Sequence, residues 1–482
     1  MSILFIETGT SHKTGMGLRG LRPAGQNFAL SWRAFWTVTL LILLVAEPFG
    51  PMLAAQDGAQ SGEILSVDDA VKIALAENRT LKIVSLNLDV QNQKLAADKT
   101  RRLPSFNTYA FGSELLSPIS YFIPQGQFGC CYPGIGPIPS QNTYLTTPSK
   151  PTATVLATAS QPLIQLYKIN LYLRGQKLSV EQAELQLREQ KDTVVNQVRQ
   201  AFYKVVQIQN QIDSTQASIK QYEELDRITL QYVSEQVALQ SENLEVKTKL
   251  AQEQLSLLKL QDKQQTAKET LNDLLGRNIN TPFQTAAVAP VSAEEMDLAS
   301  AQTKALANNP KVKEGEVTIK QADNARALAK SQYLPDLNFS IQYTTPIGYT
   351  FVPTNIANAG FEFRWEPFEW GRRKHEVNEK TINVEQSKLE LENTKAKILI
   401  DVGDQYRALK EARTALLVAQ AAQTSSREKL REVTLEYGQQ TKLLRDVLQQ
   451  QASVEKANSD YDDALAEFWS AKASFEKAIG EE

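Results

Sequence analysis

The chain has 482 residues, 42% of them hydrophobic and 22% charged, with a formal net charge of −3. That length allows roughly two to four ordinary domains, but a mean hydropathy of −0.34 excludes a bundle of membrane-spanning helices. Two histidines (His12, His375) and two adjacent cysteines (Cys130, Cys131) exclude most zinc centres and any multi-bridge disulfide framework, and the near-neutral charge leaves no electrostatic footprint for nucleic acid.

The first predicted element is an export signal. Arg33 precedes the apolar run Phe35–Ala46, and the small residues Ala54 and Ala55 follow. A positive flank, a short apolar core and a small-residue site describe a secretory signal peptide, and the run is short for a membrane anchor. Residues 1–55 are therefore expected to be removed, and the mature protein to be exported and mildly acidic.

Repeat one, residues 56–281, then reads as helix, two strands and a long helical hairpin. The first strand, Phe106–Ser113, is apolar on both faces in places. Residues 117–151 are rich in Pro, Gly and Ser and predict a long loop. In the second strand Ala153, Val155, Ala157 and Ala159 take one face, and Thr152, Thr154, Thr158 and Ser160 the other. No proline occurs from 163 to 281 although the chain has 19, and Gln, Glu, Lys, Leu and Ala dominate there, which favours helix. Val194, Val198, Ala201, Val205, Ile208 and Ile212 form a heptad seam of the kind that packs helices along their length. A helix from Leu163 to Gln236 would run about 100 Å, returning near Ser234–Leu239.

Residues 282–296 form a linker, and repeat two occupies 297–482. Its two strands fall within 336–366. Leu337, Phe339, Ile341 and Tyr343 alternate with Asp336, Asn338, Ser340 and Gln342, and Phe361, Phe363 and Trp365 with Glu362, Arg364 and Glu366. Period-two alternation makes strands with one apolar face, and their length suits an oblique crossing of a bilayer. Proline is absent again from 368 to 482. A second seam runs through Val454, Ala457, Tyr461, Ala464, Phe468, Ala471 and Phe475, with a turn near Gln439–Thr441.

The repeats are copies. Ala74-Leu75-Ala76-Glu77-Asn78 returns as Ala305-Leu306-Ala307-Asn308-Asn309 at an offset of 231, which also aligns Leu103-Pro104 with Leu334-Pro335. Val180-Glu181-Gln182 returns as Val384-Glu385-Gln386 at an offset of 204; the difference falls largely in the 117–151 loop. Four amphipathic strands cannot span lipid alone, because an open edge leaves backbone groups unpaired, so they must close with copies of themselves. Three copies give twelve strands, an even number as in known barrels. Tyr343, Phe361, Trp365 and Trp370 could anchor such a barrel at the membrane interface. A soluble sheet would alternate in the same way, but it gives no reason to attach helices of about 100 Å.

In order along both repeats, these features resemble the TolC-like outer-membrane efflux proteins, from about Leu65 to Gly480. The resemblance rests on the duplicated Ala-Leu-x-x-Asn start, the Leu-Pro before each first strand, and Leu274-Leu275-Gly276 closing the first hairpin. It rests most on Glu366-Pro367-Phe368-Glu369-Trp370-Gly371-Arg372-Arg373, which is similar to the family's aromatic-Pro-Phe/Leu-x-x-Gly-Arg-Arg signature. Gln161-Pro162-Leu163 keeps only its start. The resemblance implies a mainly α homotrimer with a transmembrane β part: a trimeric α-barrel tunnel in the periplasm and a twelve-stranded β-barrel in the outer membrane of a Gram-negative bacterium. It implies passive exit for cargo delivered by a periplasmic adaptor and an inner-membrane transporter, in efflux or type I secretion. At the closed tunnel end the family uses a Tyr and an Arg to hold helices in and two Asp rings to narrow the pore. Here Tyr437 and Asp446 match, Lys442 replaces the Arg, and Gln449 replaces the second Asp. Gln240 and Ser241 stand where a Thr-Asp partner is expected, and neither turn carries the tip glycine. The rival reading is an exported coiled-coil structural protein spanning the envelope without transport. No Ser/His/Asp spacing, phosphate-cradling glycine loop or Cys/His cluster supports an enzyme, and no cofactor or metal is implied.

Overall fold

Helix caps, alternation and seams in the sequence each find their element in the computed structural model, which describes residues 63–130, 133–288, 297–350 and 352–481. The export signal read over residues 1–55 lies outside the described residues, as do Cys131 and the linker from 289 to 296. Repeat one opens with β1 (Glu63–Leu65), α1 (Val67–Glu77) and α2 (Arg79–Lys99). Ser66 caps α1, its hydroxyl accepting from the Asp69 amide at 3.2 Å, and Asn78 caps α2, its side-chain oxygen accepting from the Leu81 amide at 3.0 Å. Asn78 also closes α1, its amide donating to the Ala74 carbonyl. The single starting helix expected in each repeat is thus two helices, broken at the asparagine of the Ala-Leu-x-x-Asn motif. Repeat two makes the same break. Asn309 separates α5 (Leu298–Asn308) from α6 (Pro310–Ser331), and Pro310 sits where a missing N–H costs nothing.

The sheet contains β2 (Ser105–Glu114), β5 (Pro151–Pro162), β7 (Asp336–Ile347) and β8 (Ile356–Arg364), antiparallel throughout, in the order β2-β5-β7-β8. The register puts Phe106, Ala159, Ile341 and Ala359 on one row, and Ala157, Tyr343 and Ala357 on a neighbouring row of the same face. Strand β2 is the exception to clean sidedness: Tyr109 and Phe111 stand on the other face, opposite Leu156 and Thr154. The long loop expected over 117–151 holds a second hairpin, β3 (Ile119–Ile123) with β4 (Thr143–Thr147). Its Phe122 and Tyr144 rings lie 5.1 Å apart, and Thr350 of the β7–β8 loop donates to the Thr146 carbonyl at 3.2 Å. The Pro and Gly content that predicted loop is concentrated between β3 and β4, and the short Ile-Ser-Tyr-Phe-Ile run was masked by it.

Four long helices follow: α3 (Gln165–Ser234), α4 (Gln240–Leu274), α7 (Arg372–Gly438) and α8 (Leu444–Ile479). The 70 residues of α3 make a rod of about 105 Å. Packing pairs place the helices in a single row. Nearest the sheet the row is α2-α3-α6-α7, the same order as the strands to which they connect; farther away it is α4-α3-α8-α7. Helices α3 and α7 therefore run the whole length, while the shorter pairs stack end to end. At one stack Asn78 Nδ2 donates to the Leu274 carbonyl at 2.7 Å, and Arg79 pairs with Asp273 at 3.1 Å. Beside it, β1 pairs in parallel with β6 (Phe283–Thr285), so the linker begins with a strand. The main core fills this level with Val194, Val198, Phe202, Val205, Leu271, Phe468 and Trp469, largely the residues of the two seams.

Candidate functional site

The ends of the α3–α4 and α7–α8 hairpins farthest from the sheet carry the residues expected to form a gate. Both turns share one backbone solution. The Gln236 and Val237 amides donate to the Val233 and Tyr232 carbonyls, and the Gln440 and Thr441 amides donate to those of Tyr437 and Glu436. These paired bonds are the helix-ending motif that usually takes glycine in the left-handed region. Here Gln236 (φ 59°) and Gln440 (φ 60°) occupy it, at the same offset of 204 that relates the repeats.

Between the turns lies an apolar knot of Tyr222, Leu225, Val246, Tyr437, Leu444, Val447 and Leu448. Tyr437 is 8% exposed, and its ring lies 6.0 Å from that of Tyr232. Burial, with Glu242 and Tyr232 adding to it, pushes its phenol up to about 12. Lys442, standing where the family has Arg, faces Glu436 of its own hairpin at 3.9 Å. Asp446 sits in the first turn of α8, where its Oδ2 accepts from the Leu443 amide at 3.2 Å and Arg445 approaches to 3.7 Å. Gln449 lies one turn further along and is exposed; Gln240 and Ser241 are exposed on the first turn of α4. The fold thus gathers Lys442, Asp446 and Gln449 at one tip and Gln240 and Ser241 at the other, with Tyr437 packed between the hairpins.

Sequence reasoning passed over the polar groups inside the row. Asn243 is fully buried and donates to Asp226 Oδ1 at 2.7 Å and Thr229 Oγ1 at 3.1 Å, tying α4 to α3. Farther from the tip, burial raises the carboxyls of Glu253 and Glu455. Burial, then Asp463, pushes Asp462 up to about 7. An acidic pair interrupting the second seam, Asp462-Asp463, was the available signal.

At the sheet's end the expected anchors are on the surface: Tyr343, Phe361, Trp365 and Trp370 are 44%, 69%, 53% and 89% exposed. Trp370 packs edge-on to Phe368 at 4.8 Å. The signature around them turns the chain from β8 into α7. Trp370 (φ 56°) and Gly371 (φ 87°) make the left-handed corner. Buried Arg373 fixes it, donating to the Glu366 carbonyl at 2.6 Å and pairing with Glu369 at 3.1 Å. No helix among the described residues is long and apolar enough to cross a membrane.

No curated protein matches the sequence significantly. Solved structures do match the fold. The outer membrane channel CmeC of Campylobacter jejuni superposes with a TM-score of 0.70 at 16% identity, covering 86% of this chain and 85% of its own. The open state of the MtrE outer membrane channel of Neisseria gonorrhoeae gives 0.68 at 16% identity, over 86% and 89%. CusC, described in terms of folding and transmembrane channel formation, gives 0.71 at 14%, over 91% and 100%. The family described as outer membrane efflux protein matches residues 70–277 and 302–481, one segment per repeat. The chain belongs to the outer membrane efflux protein family, a family of outer-membrane channels.

Proposed function

We propose that three copies of the chain close into one conduit, a twelve-stranded barrel in the outer membrane continuing into a periplasmic tunnel of helices. The observation that carries this reading is that both layers are open in the same order. The sheet ends at β2 and β8, and the helical row ends at α2 and α4 on one side and α7 on the other. A strand edge without a partner is untenable in lipid, so β8 of one copy pairs with β2 of the next. The same step sets the sheet-proximal half of α7 against the neighbour's α2 and its distal half against the neighbour's α4. It covers Ile382 and Leu389 with Ile83 and Leu86, and Leu417 and Val418 with Leu255 and Leu258, all exposed in the single chain. The apolar sheet face then meets lipid, and the face bearing Asn338, Ser340, Gln342 and Glu362 lines water.

Transport through such a conduit is passive. An inner-membrane pump supplies the energy and a periplasmic adaptor joins it to the tunnel tip, where Gln240, Ser241, Tyr437 and Lys442 lie. Asp446 forms the narrowest ring, with Gln449 one turn behind it. Three carboxylates around an axis repel one another and attract cations, which gives cation preference and a pH-dependent conductance. Asp446→Asn isolates that charge, because the amide oxygen can still accept from the Leu443 amide. Planar-bilayer recordings are expected to show lost cation preference and a flattened pH response. Unchanged conductance, selectivity and pH response would remove Asp446 from the constriction. Heat-modifiable trimers in isolated outer membranes test the closure itself; a monomer in that fraction would defeat it.

A further inference from the structure

A groove of about 930 Å³ runs between α3, α4 and α8, well away from the hairpin tips. Asp462 stands about 24 Å along α8 from Asp446. Acidic side chains dominate the groove: Glu253 and Asp262 from α4, and Glu455, Asp462 and Asp463 from α8, against Lys204 and Lys263. Asp462 is the unusual member. It is 6% exposed, and its Oδ2 is buried without a hydrogen-bond donor. A buried carboxylate oxygen left unpaired is costly and calls for a donor from outside the described side chains.

The neighbouring polar groups do not fill that role. Arg427 from α7, which faces Asp462, gives an N–H to Asn458 Oδ1 at 2.9 Å. Lys204 from α3 donates to Gln207 Oε1 at 2.8 Å. Gln207 and Gln211 donate to Asp463, not to Asp462. Asp213 on α3 adds a further negative charge facing it. One helical repeat along α8, about 10 Å away, Glu455 and Glu253 form a second acidic level, with the Tyr222 hydroxyl donating to Glu455. Ile208, Leu260 and Ala267 supply apolar wall along the same groove. No cluster of three metal-ligating side chains occurs among the described residues, so the arrangement suits an organic cation better than a coordinated metal.

We propose that this groove binds a linear polyamine, with one ammonium group donating to Asp462 Oδ2, a second at Glu455 and Glu253, and the methylene chain along Ile208 and Leu260. An extended chain with charges at intervals matches two acidic levels separated by apolar wall, which a single compact cation does not. Binding draws Asp462 into its ionised form. Because burial holds its carboxyl near 7 in the free protein, the ligand displaces a proton and binds more tightly at pH 8 than at pH 6.

The test is calorimetric titration of the full-length protein in detergent with spermidine, in two buffers of different ionisation enthalpy. The wild type is expected to show saturable binding with proton release. Asp462→Asn should weaken binding at least tenfold and abolish that release. Asp446→Asn should bind as the wild type does, whether or not it forms the pore ring, so this outcome is separable from the channel reading. Glu253→Gln, on the partly open flank of the groove, should cost a few-fold in affinity and keeps the test decisive if Asp462→Asn does not fold. Absence of saturable binding to the wild type, wild-type affinity in Asp462→Asn, or loss only in Asp446→Asn overturns the proposal.

Discussion

The end-to-end helix stacks can be broken one at a time, and the two repeats supply each other's control. Gly276 closes α4 at φ 76° and Gly480 closes α8 at φ 73°, 204 positions apart. A left-handed conformation costs a side-chain-bearing residue about 1–2 kcal/mol, so alanine at either site loses that much. The space beyond each glycine differs. A Cβ on Gly276 would run into the Glu77 carbonyl, lying 2.6 Å from its carbon, and backbone there cannot yield cheaply. A Cβ on Gly480 would meet Asn308 Cβ at 3.2 Å, a crowding that a few tenths of an ångström relieves. Moving the Glu77 backbone also pulls Asn78 from the Leu274 carbonyl and Arg79 from Asp273. The hydrogen bond contributes about 0.5–1.5 kcal/mol and the exposed ion pair about 0–1 kcal/mol. Gly276→Ala is therefore expected to cost about 1.5–4.5 kcal/mol and Gly480→Ala about 1–2 kcal/mol. The assay is the apparent thermal midpoint of both variants in detergent at one scan rate, because unfolding of such a protein is governed by rate. Equal midpoints, or a lower one for Gly480→Ala, would refute the argument that backbone contact at the stack sets the difference.

Gln236→Gly and Gln440→Gly should each stabilise a tip by about 1 kcal/mol, read as slower amide exchange at Val237 and Thr441. Arg373→Ala leaves Glu369, whose side chain is 9% exposed, buried without its partner. It should cost about 3–5 kcal/mol, seen as loss of folded protein from the outer membrane. Asp462 binds its proton more tightly folded than unfolded, so its cost is absent below about pH 4, grows as pH rises, and is complete above about 7. Asp462→Asn should accordingly stabilise on the order of 2–4 kcal/mol at pH 8 and hardly at all at pH 4, by thermal midpoint. Tyr437, held up to about 12, keeps its proton while exposed tyrosines ionise near 10. Stability linked to it is present below pH 10 and lost as pH rises through 12. An ultraviolet titration should lose a step near pH 12 in Tyr437→Phe, while Tyr222, which burial and Glu455 raise further, still ionises later.

What was legible in the sequence followed the range of the interaction that fixes it. The alternation Leu337, Phe339, Ile341, Tyr343 and the seam from Val194 to Ile212 report contacts that recur every two or every three to four residues, so a short window contains them. The β3–β4 hairpin lacked such a window, because each strand is only five residues and the Pro and Gly between them dominated the composition. The double helix at the head of each repeat was hidden for another reason. Asn78 and Asn309 were visible as repeated letters, but their capping role depends on a local backbone break that helix-favouring neighbours conceal.

The tip shows where family expectation and chain chemistry part. With Lys442 near Glu436 of its own hairpin and Tyr437 sunk in an apolar knot, the described contacts between the two tips are packing contacts, not an ion pair. Packing of that kind is insensitive to salt, whereas an exposed ion-paired lock is screened by it. A gate built from the knot should therefore open little when ionic strength alone is raised. Truncating Val447 or Leu448 to alanine should open it, at about 2–4 kcal/mol per buried side chain. Single-channel conductance that rises steeply between low and high salt in the wild type, beyond the conductivity of the medium, would restore the ionic lock and refute the apolar one.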